Sequence, residues 1–381
     1  MNGDVTALRA VTRLAPVGGT GDKVFPPTYE GGKYAEEERH LGEEKPLHCV
    51  LLDSVQSQAN RMELALLEAR RAGRIPLPLI EVAIEGHGVI TSLDAPHRVH
   101  DAIFRDSLWD GVAFRKSANG ARLVSARPQT ATAFFEFCPT ALLFGTWDSQ
   151  GGGGAASAKV PRAITSEIVA IDAEKGRRTA SRIDPLGIKA MAGLIVEAKK
   201  AEDQWDLKED GSKAKLFGKK GKPSEINHGN VTPTITDGGV TMREGKQTTV
   251  LSLTQLRRLR FPDAGGNSSG ERDRAAQTVI ALLGICAFLG AHQEGLDLRA
   301  RCHLAATAEP KFEVIRRVLA PEPESFAVTL AQAEEALRAA VSDATKQGLR
   351  WVETVTLKPT PKLVQLVQKS DASTAGEDEA V

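Results

Sequence analysis

Apolar and polar positions along the chain fall into helical and strand periodicities that alternate unevenly. LHCVLLD (Leu47–Asp53) is a short apolar run of strand type, and it feeds directly into a helical pattern from Ser54 to Gly73. On that helix Val55, Ala59, Met62, Leu66 and Ala69 recur at helical spacing and predict one buried stripe. After a break at Pro76 and Pro78, LIEVAIEG reads as a second strand. SLDAPHRVHDAIFRDSLWDG predicts a turn at Ala95-Pro96 and a short helix from about Arg98 to Trp109. FFEFCPTALLFGTWDS (Phe134–Ser149) predicts a short helix, broken at its proline, before a strand. VPRAITSEIVAIDAE predicts a strand that ends in the basic turn KGRRTASRIDP. Further on, TTVLSLTQLRRLRFP predicts a strand running into a short helix, and ERDRAAQTVIALLGICAFLGAHQEG the most buried helix of the chain. LRARCHLAA alternates like a strand, VTLAQAEEALRAAVSDATKQG like an amphipathic helix, and LRWVETVTLK closes the pattern as a last strand.

Four segments lack such periodicity. Residues 1–45 hold Gly-Gly twice, Pro-Pro and the run EEERHLGEE, and read as a loosely structured arm. GGGGAASA (151–158) reads as a flexible loop. Residues 200–247 combine KEDGSKAKLFGKKGKPSE, with its six lysines, and the turn-rich NHGNVTPTITDGG; they read as a protruding element. Residues 366–381 read as an acidic disordered tail. No internal repeat is visible. Strand–helix–strand at one end and helix–strand at the other predict an α+β fold over 46–365. Its sheet would be a split β-α-β-β-α-β, of ferredoxin-like or RRM-like kind, with large insertions, 87–160 among them. A doubly wound sheet is the rival, but strands and helices do not alternate cleanly from 87 to 247.

Composition narrows the function. Lys+Arg and Asp+Glu both number 49, which disfavours indiscriminate nucleic-acid binding and leaves room for local basic patches. Aromatic residues are 5%, too few for a base-stacking platform along the chain. Cys49, Cys138, Cys286 and Cys302 form no CxxC pair and read as buried free thiols of a reducing compartment. The most apolar stretch, Thr278–Ala291, is too short to span a bilayer, and the N-terminus lacks a signal-peptide core, so a soluble cytoplasmic protein is expected. GGTGDK (Gly18–Lys23) is not a Walker A motif, and the histidines form neither HExxH nor a zinc-knuckle spacing. His97 and His100, with Asp101 and Asp106 nearby, read as a surface turn rather than a metal site. No metal or cofactor is expected.

The start of the first helix carries the clearest chemistry. The first turns of a helix present unpaired N–H groups and a positive dipole end, which suit phosphate. Ser54 can cap there, and Ser57, Gln58, Asn60 and Arg61 can donate to phosphate or ribose oxygens without reading sequence. No acid occurs from Ser54 to Met62, although a solvated helix start usually attracts one. Three further segments have similar character: His97-Arg98 opening the next helix, Arg162, Arg177, Arg178 and Arg182 among Ser and Thr, and Asn227, His228 and Asn230 beside the lysine run. Together they point to several contacts with a polyanion.

LLDSVQSQANRMELALL, SLDAPHRVHDAIFRDS, PRAITSEIVAID with RIDPLG, and HGNVTP followed by TTVLSLTQLRRLRF occur in that order, over about 45–305. This set resembles the backbone-forming RAMP subunit of type I-G (formerly I-U) CRISPR effector complexes. The resemblance implies a modified RRM-like palm with inserted fingers and a thumb, for which the lysine-rich 208–223 segment is a candidate. It implies copies stacked head to tail along one CRISPR RNA, each holding the guide by its backbone while base pairing reads the target DNA strand. It also implies partners among the other effector subunits, and a role in antiviral defence without catalysis. Carried onto this chain, the guide-binding residues are Ser54, Gln56, Ser57, Asn60 and Arg61, then Arg98, Arg162 and Arg182; Asp184 reads as structural, because Asp-Pro favours a turn. The rivals are a RAMP-superfamily RNA endonuclease, with His97, His100 or His228 as general base or Asp237 as a loop carboxylate, and a generic α/β metabolic enzyme.

Overall fold

The computed structural model describes residues 3–148, 159–198, 203–209 and 211–378. The expected loop at 151–158 lies outside the described residues. The chain divides into two compact units, 1–174 with 240–360, and 175–239 with 361–381.

A nine-stranded sheet organises the first unit. Its main path runs Leu296–Arg299, Cys302–Ala306, Val5–Pro16, Val231–Ser252, Ile164–Arg182, Leu47–Asp53, Glu36–Arg39, and Phe312–Arg316 also pairs with Val5–Pro16. Strand and helix together give the α+β class expected from the sequence. The Val55–Arg71 and Leu330–Lys346 helices both pack against Gly270–Gln293. That central helix carries an apolar side chain on nearly every face because it is enclosed. At Gly284 an added Cβ would sit 3.0 Å from Leu143 Cδ1 and 3.3 Å from Leu251 Cδ1, so the missing side chain lets helix and sheet approach. Among the described residues this is the one helix long and apolar enough to cross a membrane, and 72% of its apolar window is buried inside the protein. All four cysteines are free and buried; burial pushes Cys286 up to about 12 and Cys302 to about 11.

Several expected boundaries move. Residues 5–16 are not part of a loose arm. They form a central strand, in register with Val231–Ser252 from Ala7↔Ser252 to Leu14↔Gly245. Ala10, Thr12 and Leu14 point inward while Val11 and Arg13 face out, an alternation masked by the Gly, Pro and Glu that follow. Glu36–Arg39 is an edge strand on Leu47–Asp53. The Ile80–Ile84 strand does not join this sheet. Both sides of Leu47–Asp53 are already taken, by Ile164–Arg182 and by Glu36–Arg39. Ile80–Ile84 instead builds a five-stranded sheet, parallel to Val355–Pro359 and antiparallel to Gly88–Thr91. The helix expected over 98–109 is only a 3-10 turn (Arg98–His100) and one helical turn (Ala102–Arg105), followed by the Ser107–Trp109 strand.

In the second unit the expected basic turn after Glu174 and the expected loop around 231–239 are strand instead, the far parts of Ile164–Arg182 and Val231–Ser252. Their residues there are almost all exposed, so polar and turn-type side chains meet no packing penalty. Ile195–Glu197 pairs with Trp205–Leu207. Glu225 accepts from the amides of Lys219, Lys220 and Lys222, which hold its carboxyl below the usual range. The expected disordered tail is helical as far as it is described, Pro361–Asp378, with proline at its first position and the good helix formers KLVQLVQK behind it.

Burial among Phe288 and its neighbours lowers His292 to about 4 from 6.5, and its Nε2 lies 2.6 Å from Gln247 Oε1. The unfolded chain therefore binds the proton first, and stability falls as pH drops from about 6.5 to about 4, by up to roughly 3 kcal/mol for this half-buried ring. Urea midpoints measured from pH 7 to pH 4 are expected to fall, and less steeply in His292→Gln; identical pH profiles for the two proteins would rule this histidine out as a source.

Candidate nucleic-acid interface

The Leu47–Asp53 strand delivers the chain to its helix through Ser54, which is extended (φ −77°, ψ 162°). Ser54 Oγ accepts from the Ser57 amide at 3.2 Å and its carbonyl from the Gln58 amide at 2.8 Å. No acidic residue occupies the first turn. The helix start is thus capped once and otherwise keeps its N–H groups and positive dipole end.

Beneath it lies an acid that the sequence reading passed over. Asp53 is fully buried and accepts from Gln58 Nε2 at 2.6 Å, Arg61 Nε at 2.9 Å and Arg299 Nη2 at 3.1 Å. Arg61 also donates to the carbonyls of Asp297 and Leu298. Gln58 continues inward: its Oε1 accepts from Gln247 Nε2 at 2.7 Å and from Ser166 Oγ at 3.0 Å, and Thr249 Oγ1 lies 2.7 Å from Ser166 Oγ. Gln58 and Arg61, expected as guide contacts, are therefore engaged inside the fold. A buried carboxylate at the strand end demands cationic and amide donors from the next turns, and these two residues supply them. The available signal was an aspartate closing an otherwise apolar strand.

Gln56 and Asn60 are exposed, one turn apart on the same helix face, with Ser57 half-buried beside them. Arg162 joins this corner, its Nη1 donating to the Val55 carbonyl at 3.1 Å. Burial lowers its pKa, and the charge of Arg98 adds to the effect. Arg98 itself is a correction. It is 6% exposed, grips Glu63 through Nε and Nη2 at 2.6 and 2.8 Å, donates to the Gly145 carbonyl and lies 5.5 Å from the Phe144 ring centre. Burial pushes Glu63 up against the opposing pull of Arg98. A guanidinium so enclosed has no face for a phosphate, because Glu63, without it, would be a buried unpaired charge. His97 is exposed on the preceding residue. His100 is lowered to about 4 by burial, with Nδ1 2.8 Å from Thr146 Oγ1.

Arg182, His228 and Asn230 meet in the second unit. Arg182 donates to the carbonyls of His228 and Gly229, and Asn230 Oδ1 accepts from the Asp184 amide at 2.7 Å. Asp184 accepts from the amides of Gly229 and Leu186, which hold its carboxyl low, and His228 Nδ1 lies 3.7 Å from it. These three residues thus lock a loop, and Asp184 is its centre. Asp237 is exposed and 4.0 Å from Arg177. Among the described residues no group of three or more His, Cys, Asp or Glu has the geometry to hold a metal ion.

The α+β sheet thus ends in a helix start that offers uncharged donors, Gln56 and Asn60 among them. Residues 8–175 match the family model described as CRISPR-associated protein GSU0053. The match agrees with the resemblance to a CRISPR-associated protein, without bearing on the subtype, and it begins earlier, taking in most of the Val5–Pro16 strand. No curated protein matches the chain. A solved chain titled "CRISPR RNA-guided surveillance complex, pre-nicking" aligns at 10% identity and a TM-score of 0.32, over 96% of this chain and 99% of that one, a likeness too slight to carry residue correspondences.

Replacing Asp53 by Ala leaves Arg61 and Arg299 without their shared carboxylate. A loss of about 3 kcal/mol in urea unfolding is expected, whereas Asn60→Ala, at an exposed position, is expected to change it by less than about 0.5 kcal/mol.

Proposed function

We propose that the chain is a non-catalytic, guide-binding backbone subunit of a CRISPR effector complex of the type I-G kind, acting in the cytoplasm. Copies polymerise head to tail along one CRISPR RNA, alongside other effector subunits, and the guide pairs with the target DNA strand. The observation that carries this reading is the match of residues 8–175 to a CRISPR-associated family, because that stretch contains the capped helix start with its exposed Gln56 and Asn60. Uncharged donors there suit a role in which every guide must be held alike, since amides and hydroxyls that meet phosphate and ribose carry no sequence preference. Ser54, Ser57 and Arg162 belong to the same corner, and Arg61 supports it from beneath.

The endonuclease alternative places a general base on a histidine. His100 is buried and its basicity is lowered, so His97, which is exposed, and His228, partly exposed with Asp184 3.7 Å from its Nδ1, are the residues left for that role.

The double substitution Gln56→Ala/Asn60→Ala is expected to weaken binding of CRISPR RNA by roughly 1–3 kcal/mol per subunit, equally for spacers of unrelated sequence, with unchanged thermal stability. Filter binding with three such spacers reads this directly. Loss confined to one spacer, or cleavage of the RNA that disappears with His97→Ala or His228→Ala, would defeat the reading.

A further inference from the structure

A second surface of the first unit gathers positive charge that the helix start does not use. Three grooves border the segment Arg257–Asp263. The first, about 420 Å³, is lined by Arg258 and Arg260 with Gln129 and Gln255. The second, about 500 Å³, shares Arg260 and adds Arg257, Arg274, Ser268 and Ser269. The third, about 830 Å³, is lined by Arg122, Arg272 and Arg350 with Ser125 and Thr130. Seven arginines therefore face three carboxylates, and no lysine lines any of the three grooves.

The carboxylates do not neutralise the excess. Asp273 is buried and held by the Phe261 amide and Arg260; Glu136 is paired with Arg122; Asp263 accepts from the amides of Gly265 and Asn267. Arg258 is exposed and makes one long contact, 3.4 Å to Gln255 Oε1 on its own turn. Arg274 and Arg350 are exposed and make no side-chain hydrogen bond or ion pair among the described residues. Arg257, Arg260 and Arg272 already donate to backbone carbonyls and Arg122 to Glu136, which leaves Arg258, Arg274 and Arg350 with planar forks that can each meet a phosphate with two parallel hydrogen bonds. The charge is strung along three adjoining grooves rather than focused on one point, which fits a polymer better than a mononucleotide. Of the large rings near these grooves, Phe261 and Phe135 are buried and Trp351, beside Arg350, is half-buried against Phe135.

We infer that these arginine grooves are a second nucleic-acid track, which takes the phosphodiester backbone of a single strand without regard to sequence. The inference stands apart from the function proposed for the helix start, since it uses none of the residues from Ser54 to Arg61.

The test uses the full chain, freed of co-purifying nucleic acid in high salt. Fluorescence anisotropy follows its binding to labelled single-stranded RNA and DNA of about 30 nucleotides across a salt series. Each phosphate contact to a single strand contributes about 0.7 to the slope of log affinity against log salt. Arg258→Ala/Arg274→Ala/Arg350→Ala is expected to lower that slope by about 2 and the low-salt affinity at least tenfold, on RNA and DNA alike. Gln56→Ala/Asn60→Ala is expected to lower the RNA affinity at every salt concentration but, since it removes no charge, not the slope. The corresponding triple Arg→Gln variant removes the same charges but keeps polar side chains at these exposed positions; it is expected to lower the slope equally, and it keeps the test decisive should the alanine variant unfold. An unchanged slope in the alanine variant, a loss confined to one of the two sugars, or equal binding of polyglutamate would overturn the inference.

Discussion

Asp53 is the constraint around which the first unit is built. Its carboxylate is out of water, and a buried charge left unpaired costs several kcal/mol. Three donors meet it, from the first helical turn (Gln58), the second (Arg61) and a strand 246 residues away (Arg299). Only a chain that has closed this long loop and started its helix at Ser54 satisfies all three. The same geometry decides which side chains remain outside. With Gln58 and Arg61 turned inward, Gln56 and Asn60 become the polar groups presented by the helix start. Interior electrostatics thus sets exterior chemistry.

The polar seam behind Asp53 fixes strand register. Ser166 comes from Ile164–Arg182, and Gln247 and Thr249 from the neighbouring Val231–Ser252. Gln247 uses its amide fully, with Nε2 toward Gln58 and Ser166 and Oε1 toward His292. A slip of one residue would turn each of these side chains to the opposite face and leave buried amides without partners. An apolar seam would tolerate neighbouring packings. This one is specific because each donor has a particular acceptor.

The enclosed helices and most strands were legible, because periodicity records burial: Val55, Ala59, Met62, Leu66 and Ala69 do face inward or lie at the core's margin, and Gly270–Gln293 is the enclosed helix expected. Connectivity was less legible. Nothing local in LIEVAIEG says that both edges of the Leu47–Asp53 strand are occupied by segments from elsewhere in the chain. The Val5–Pro16 strand went unseen since its twelve residues were averaged with the glycines, prolines and glutamates after them. At the site, Ser54 as cap and the exposure of Gln56 and Asn60 followed from their place in the helix. The inward roles of Gln58, Arg61 and Arg98 did not, because Ser166, Arg299 and Glu63 become their neighbours only on folding.

The arginines show why a count of charges misleads here. Arg61 and Arg98 lie in motifs that resemble a guide-binding subunit, yet each is held by a buried carboxylate that would be left unpaired if the guanidinium turned outward. Arg258 lies in TTVLSLTQLRRLRF, one of those same blocks, and Arg274 and Arg350 lie outside them; no carboxylate pairs with any of the three among the described residues. Availability to a polyanion depends on what an arginine would leave behind. Asp53 and Glu63 draw three arginines inward, so the balance of 49 basic and 49 acidic residues over the whole chain does not say how charge is spread over its surface. Each acid buried with its partner is matched locally, and the grooves around Arg257–Asp263 keep an uncompensated excess. A chain with no net charge can thus present a strongly positive face, with a field that reaches about one Debye length, roughly 8 Å at physiological salt.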